Sequence, residues 1–408
     1  MNPRLSPTVK RFDLRRRSQT LVQLLRRRAL DQPDQIGYTF LLDGDETKEI
    51  SLSYRELDET ARLIAARILT YATAGDRILL LYPSGLEYIP AFFGCLYAGV
   101  IAVPAYPPRR NRTLARLQAI ATDAQATLAL TTSTTLVRVS QMFASDPALR
   151  SLRWLATDDL KLETVAEWQE PQLKSETLAF LQYTSGSTGT PKGVMLTHEN
   201  LLYNAQLVYE ACEHTPAEKY MSWLPTFHDM GFMAGILQPL HGGFPVTLMS
   251  SSAFLQSPVR WLQAITRYRS TVSGGPNFAY ELCLRKITRE QLEQLDLSSW
   301  SVAFNGAEPV RYETLKRFSE VFTKCGFRPE AFYPCYGLAE ATLMVSGGRK
   351  SEAFKSGTFN ADFLKAGRID EDRAAHAELT GPLGHEPGEI AFRAAELLTH
   401  AVTGLKKL

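Results

Sequence analysis

The chain has 408 residues, 45% of them hydrophobic and 22% charged, with a formal net charge of +2. Such a composition belongs to an ordinary globular protein with a sizeable core and roughly two or three domains. A balance so near neutral gives no global field for nucleic acid or an anionic membrane. Five scattered cysteines without CxxC spacing make neither a disulfide framework nor a zinc site, so buried thiols in a reducing cytoplasm are expected.

The N-terminus departs from that balance: Arg4, Lys10, Arg11, Arg15, Arg16, Arg17 and the run Arg26, Arg27, Arg28 face only Asp13. It reads either as an organelle-targeting segment or as an exposed arm leading into an amphipathic helix. That helix runs to about Asp31 with Leu21, Leu24 and Leu25 inward. Strands are predicted over 38–42 and 50–53 around the turn Asp43, Gly44, Asp45, then a helix over 54–71 and a buried strand over 78–82. Residues 88–108 carry no charge, which is long enough to span a bilayer. Pro90, Gly94, Gly99, Pro104, Pro107 and Pro108 punctuate this stretch, so a buried helix over 85–98 entering a strand over 100–103 is expected, not a membrane span. Helices over 114–123 and 136–143 then alternate with strands over 127–131 and 153–156, before a polar connection over 160–175.

An apolar strand over 178–181 leads into Tyr183, Thr184, Ser185, Gly186, Ser187, Thr188, Gly189, Thr190, Pro191, Lys192 and Gly193. Glycines let backbone N–H groups turn inward on an oxyanion, the hydroxyls add donors, and Lys192 adds a mobile positive charge. The loop therefore suits a polyphosphate, although composition alone says a flexible, solvated linker. It is not the P-loop, in which glycine precedes the lysine and Ser or Thr follows it.

Strand–helix alternation resumes: strands over 220–223, 245–249, 271–273, 301–304 and 331–335, with helices over 199–212, 231–240, 259–268, 277–287 and 311–325. Repeated β-then-α units imply mainly parallel sheets covered by helices, with ligands at the carboxyl ends of the strands. Three further motifs sit just after predicted strands. His228 and Asp229 follow Phe227 and read as a carboxylate pocket or as a helix cap beside a packed histidine. Gly306, Ala307, Glu308 and Pro309 form a turn on which a flat ring can lie, or a plain strand-to-helix turn. Tyr336 and Gly337, followed by Glu340, offer a stacking ring and a carboxylate, though an exposed helix glutamate is the plainer reading of Glu340.

Taken together and in this order, the motifs resemble those of the adenylate-forming enzymes, a superfamily of acyl-CoA synthetases, luciferases, peptide-synthetase adenylation domains and fatty acyl-AMP ligases. The His228–Asp229–Met230–Gly231 form, Ala339 at the place of the usual threonine, and residues 102–108 and 273–280 resemble the fatty acyl-AMP ligase branch. The resemblance covers about 20–348. It implies an α/β fold, the N-terminal domain of that superfamily, with two packed αβα subdomains and a small distorted β-barrel. It implies ATP-dependent formation of a fatty acyl-adenylate with release of pyrophosphate, for transfer to an acyl carrier protein or a polyketide or peptide synthase. ATP and Mg²⁺ are the implied cofactors.

By the same resemblance, Thr184, Ser185, Gly186, Ser187, Thr188 and Gly189 hold phosphates, and Lys192 neutralises the leaving pyrophosphate. Gly306, Ala307, Glu308, Pro309, Tyr336 and Gly337 hold the adenine. His228 contacts the acyl carboxylate, and Glu340 holds Mg²⁺. Thr184 and Thr342 are candidates for the missing threonine hydroxyl. An acyl tunnel lined by Phe232, Met233, Ile236, Leu237 and residues 278–282 is expected, with ordinary core packing as the alternative.

The expected division is an AMP-binding domain over 1–348 and an atypical tail over 349–408. In the tail, residues 349–372 resemble an insertion of the fatty acyl-AMP ligases, and 387–390 resemble a strand of the third subdomain. The ribose-binding aspartate and the small C-terminal domain with its lysine are expected to be missing, so the chain should bind ATP or acyl-AMP but adenylate poorly. A non-catalytic nucleotide- or acyl-binding remnant and an acyl-CoA ligase are the rival readings.

Overall fold

The computed structural model describes residues 18–45, 48–106, 114–143, 147–160, 168–184 and 191–354. Its strands are β1 (Ile36–Leu41), β2 (Glu49–Ser53), β3 (Arg77–Leu80), β4 (Ile101–Pro104), β5 (Leu128–Thr131), β6 (Arg153–Ala156) and β7 (Leu178–Thr184). They continue as β8 (Lys192–Thr197), β9 (Tyr220–Ser222), β10 (Val246–Met249), β11 (Val272–Gly275), β12 (Val302–Asn305), β13 (Phe332–Gly337) and β14 (Met344–Gly347). They form a six-stranded sheet in the order β6-β5-β3-β4-β7-β8 and an eight-stranded sheet in the order β14-β13-β12-β11-β9-β10-β1-β2. Both are parallel in the centre, where short apolar strands are covered on both faces, and antiparallel at edges formed by β1–β2, β7–β8 and β13–β14.

This is the expected α/β architecture. The β-barrel falls on the tail, and the tail beyond residue 354 lies outside the described residues, as do the basic N-terminal residues 1–17. The sequence reading missed short elements: helices Pro147–Arg150, Ser251–Gln256 and Arg289–Leu292, and the edge strand β14.

One apolar core joins the sheets. Phe180 of β7 stacks on Phe232, with ring centroids 4.7 Å apart and planes at 10°. Phe92 meets both edge-on, at 5.8 and 4.7 Å. Phe92 belongs to helix Tyr88–Tyr97, every residue of which is buried. The uncharged stretch is thus a core helix feeding β4, as its prolines and glycines required. Among the described residues no helix is long and apolar enough to cross a membrane.

The N-terminal helix Leu21–Asp31 closes on this core, capped by Thr20. The Leu21 N–H donates to His198 Nδ1 at 3.2 Å. Burial pushes His198 down to about 4, so it stays neutral and able to accept that bond.

Candidate functional site

The Gly/Ser/Thr motif of residues 183–193 joins β7 to β8, which pair antiparallel. Thr184 and Lys192 are register partners across its mouth. Ser185, Gly186, Ser187, Thr188 and Gly189 lie between them, outside the described residues. A strand, not a helix, follows the loop; helix His198–Ala211 begins only after β8, capped by Thr197 and Asn200. Lys192 is exposed at the start of β8. One strand position before Tyr183, Gln182 Nε2 donates to the Phe227 carbonyl at 3.1 Å, tying the hairpin to the His228 segment.

His228 precedes the helical run Asp229–Phe232. The Asp229 carboxylate accepts from His228 Nδ1 at 2.7 Å and from the Met230 N–H at 2.6 Å. It therefore takes up one free N–H of the first turn and orients the imidazole. The hydrogen bond to Asp229 raises the His228 pKa, and burial only partly offsets that.

His228 lines a cavity of about 250 Å³ together with Gly306, Ala307, Tyr336 and Gly337. The three motifs, more than a hundred residues apart at their extremes, thus share one cleft at the carboxyl ends of the strands, as an open α/β sheet favours. A Cβ on Gly306 would lie 2.8 Å from the Cys335 carbonyl oxygen, and one on Gly337 would lie 2.2 Å from that of Leu343. Both positions need bare backbone. Ala307 has φ 67° and Thr342 φ 73°, sparsely populated values for residues with side chains that commonly mark functional sites.

Glu308 and Pro309 are not part of the cavity wall. The Glu308 carboxylate accepts from the Phe278 N–H at 2.5 Å, bracing the start of helix Asn277–Lys286. Its side chain fixes the turn that presents Gly306 and Ala307. The expected tunnel lining is largely corrected too: only Met233 lines the cavity. Phe232, Ile236 and Leu237 point into the core, and Phe278 packs near Trp223, ring centroids 6.0 Å apart. Met230, Met233 and Ala234 line the cavity at ordinary helical spacing, and the π-helical turn over Met233–Leu237 brings Gln238 to the same side.

Glu340 sits exposed on the 3-10 turn Ala339–Ala341, three residues past Gly337. Sequence reasoning missed what holds that turn. Asn204, buried on the helix that follows β8, donates from Nδ2 to the carbonyls of Ala341 at 3.2 Å and Met344 at 3.1 Å. Its Oδ1 accepts from the Met344 N–H at 3.2 Å. One amide thereby locks the Glu340 turn to the helix that follows the β7–β8 hairpin. Thr342, offered as a hydroxyl source, is buried in this turn, whereas Thr184 is half-buried at the hairpin mouth.

Residues 25–393 match the model of a family described as AMP-binding enzyme. The medium-chain-fatty-acid–[acyl-carrier-protein] ligase JamA of Moorena producens is 50% identical over 358 residues, covering 86% of this chain and 60% of the relative. The similarly described TtuA of Teredinibacter turnerae is 35% identical, with the same coverage. A crystal structure of fatty acyl-adenylate ligase from L. pneumophila, in complex with acyl adenylate and pyrophosphate, matches with a TM-score of 0.79. It is 44% identical over 84% of this chain and 59% of that one. The chain thus spans about 60% of the length of the curated relatives it matches.

Proposed function

Because the chain belongs to the AMP-binding enzyme family, we propose that its cleft serves ATP-dependent activation of a fatty acid. The observation that carries this reading is the single cavity in which Gly306, Ala307 and Tyr336 meet an apolar pocket, with His228 beside them. The fatty acid carboxylate attacks the α-phosphorus of ATP. A new P–O bond gives the acyl-adenylate, the bond to the β-phosphate oxygen breaks, and pyrophosphate leaves with the bonding pair. The nucleophile is the substrate itself, so the protein supplies alignment and charge stabilisation.

In this reading the adenine lies on Gly306 and Ala307 against Tyr336. His228, held by Asp229, donates to the carboxylate. Lys192 and the loop between Thr184 and Pro191 neutralise the leaving pyrophosphate. A single exposed carboxylate on a clamped turn suits Mg²⁺, which takes few protein ligands and fills the rest from phosphate and water. Glu340 would hold that ion, which supplies charge neutralisation at the phosphates. The names of JamA and TtuA support an acyl carrier protein, alone or within a synthase, as the acceptor. Five unpaired cysteines, four of them buried, support a reducing compartment such as the cytoplasm.

Isotope exchange between pyrophosphate and ATP, run with a panel of fatty acids, tests the reading: whatever exchange this chain supports, even if slow, should depend on added fatty acid and be greatest at medium chains. Exchange indifferent to fatty acid would contradict it. Lys192→Ala should weaken ATP binding by about tenfold, the worth of one charge-assisted contact. Glu340→Gln should remove the Mg²⁺ dependence of ATP affinity; titrations with and without Mg²⁺ check both.

The raised His228 pKa gives a pH signature. The charged imidazole favours a carboxylate, so fatty acid binding should hold below that pKa and weaken as pH rises through it. Asp229→Asn removes the cause of the shift. The fall should then move to lower pH, with roughly tenfold weaker binding between the two transitions. Superimposable pH profiles for the two proteins would remove His228 from the carboxylate site.

A further inference from the structure

We propose that the far end of the cavity selects a medium-length acyl chain carrying a hydrogen-bonding group, such as a hydroxyl, at its tail, with Gln238 as the residue that reads it. The inference rests on the acyl-adenylate reading above.

Two elements measure the depth of the pocket independently. Along the helical wall, the run from His228 to Gln238 advances about 15 Å at ~1.5 Å per residue. Along the sheet wall, the step from Gly306 back to Val302 covers about 13 Å at ~3.3 Å per residue. Both walls line the same cavity. The helix runs away from the mouth while the strands run toward it, so Gln238 and Val302 belong to the same, deep end. Val302 pairs with Val272, and Val272 with Tyr220, making one row of side chains across the sheet at that depth. The pocket therefore ends after the span of a medium alkyl chain.

The deep end is apolar except where it holds Gln238. This residue is 1% exposed, and among the described residues neither its amide oxygen nor its amide nitrogen has a hydrogen-bond partner. Neighbouring polar groups are already engaged: the Tyr220 hydroxyl bonds His214 Nε2 at 2.5 Å, and the Tyr333 hydroxyl donates to the Ala211 carbonyl at 3.3 Å. A buried amide left without a partner is rare because its desolvation is not repaid. Both amide atoms are fully covered as the side chain lies; a ligand tail that turns the side chain toward the cavity and donates or accepts a hydrogen bond repays the cost, and a plain methyl end leaves it unmet. Pockets that contain such a group discriminate far more strongly for a hydroxyl than an apolar wall can.

The test is calorimetric titration of the 408-residue chain with two non-hydrolysable acyl-adenylate mimics, octanoyl- and 8-hydroxyoctanoyl-sulfamoyl-adenosine. The hydroxylated mimic should bind at least about tenfold more tightly, the effect of one hydrogen bond to a buried, otherwise unpaired group. Gln238→Leu, which keeps the volume and loses the amide, should bring the ratio to about one by weakening the hydroxylated mimic. Equal affinities in the unaltered protein, a comparison that needs no variant, would overturn the role of Gln238 and leave the acyl-adenylate reading standing. So would a ratio that survives Gln238→Leu. Binding of neither mimic would overturn both.

Discussion

Gly306→Val is expected to abolish nucleotide binding while the protein stays folded. Gly306 is the last step of the wall on which the adenine ring is proposed to lie, directly after β12. Even a Cβ there sits 2.8 Å from the Cys335 carbonyl oxygen and 3.0 Å from its Sγ. The branched methyls of valine have nowhere to go but the cavity that Gly306 lines, where they take the place of the ring. Affinity for an adenylate mimic should fall by at least about a hundredfold, some 2.7 kcal/mol. The lesion is at the rim of the cleft and not in the shared core around Phe92, Phe180 and Phe232, so thermal unfolding should stay cooperative. Gly306→Ala should lie between, because only the Cβ must be accommodated. Undiminished binding by Gly306→Val would place the nucleotide elsewhere.

Asn204→Leu is expected to be the most damaging single change outside the cavity wall. The Asn204 amide makes three hydrogen bonds with the backbone of Ala341 and Met344, and it is 4% exposed. Leucine fills a similar volume but leaves the Met344 N–H unpaired in a buried place and takes the amide donor from two carbonyls, of which that of Ala341 keeps only the Leu343 N–H at 2.9 Å. Unpaired buried groups cost about 1–3 kcal/mol each when the turn cannot reach water. The turn's cheaper response is to open, carrying Glu340 and Tyr336 with it. Chemical denaturation should show a loss of about 3 kcal/mol, and ATP affinity should fall at least tenfold. Asn204→Asp, which retains the acceptor for the Met344 N–H, should recover part of both. An unaltered denaturation midpoint together with full ATP affinity would refute the clamp.

The architecture was legible because apolar period and turn residues are local signals. Strand β7, helix Val259–Tyr268 and strand β6 fall within a few residues of their expected places. The motifs that gather in the cleft were legible for a related reason: an open parallel sheet puts every strand's carboxyl end on one edge. What was not legible depends on contacts remote in sequence or on small rotations. Asn204 reads as one polar residue in a helix until the fold brings Met344 to it. Glu308 reads as part of the adenine turn until its carboxylate is seen at the Phe278 N–H. The π turn over Met233–Leu237 has no sequence signature, and by rotating the helix it brought Gln238 to the cavity side. Helix Arg289–Leu292 is different: its Thr288–Gln291 capping box was written in the sequence and was overlooked.

The most direct measurement is a crystal structure of this chain with an acyl-sulfamoyl-adenosine bound. The ring should lie on Gly306 and Ala307 beside Tyr336, the linkage near His228, and the acyl chain along Met233 toward Gln238 and Val302. A mimic bound outside this cavity, or an acyl chain that leaves it empty, would contradict the assignment of the cleft.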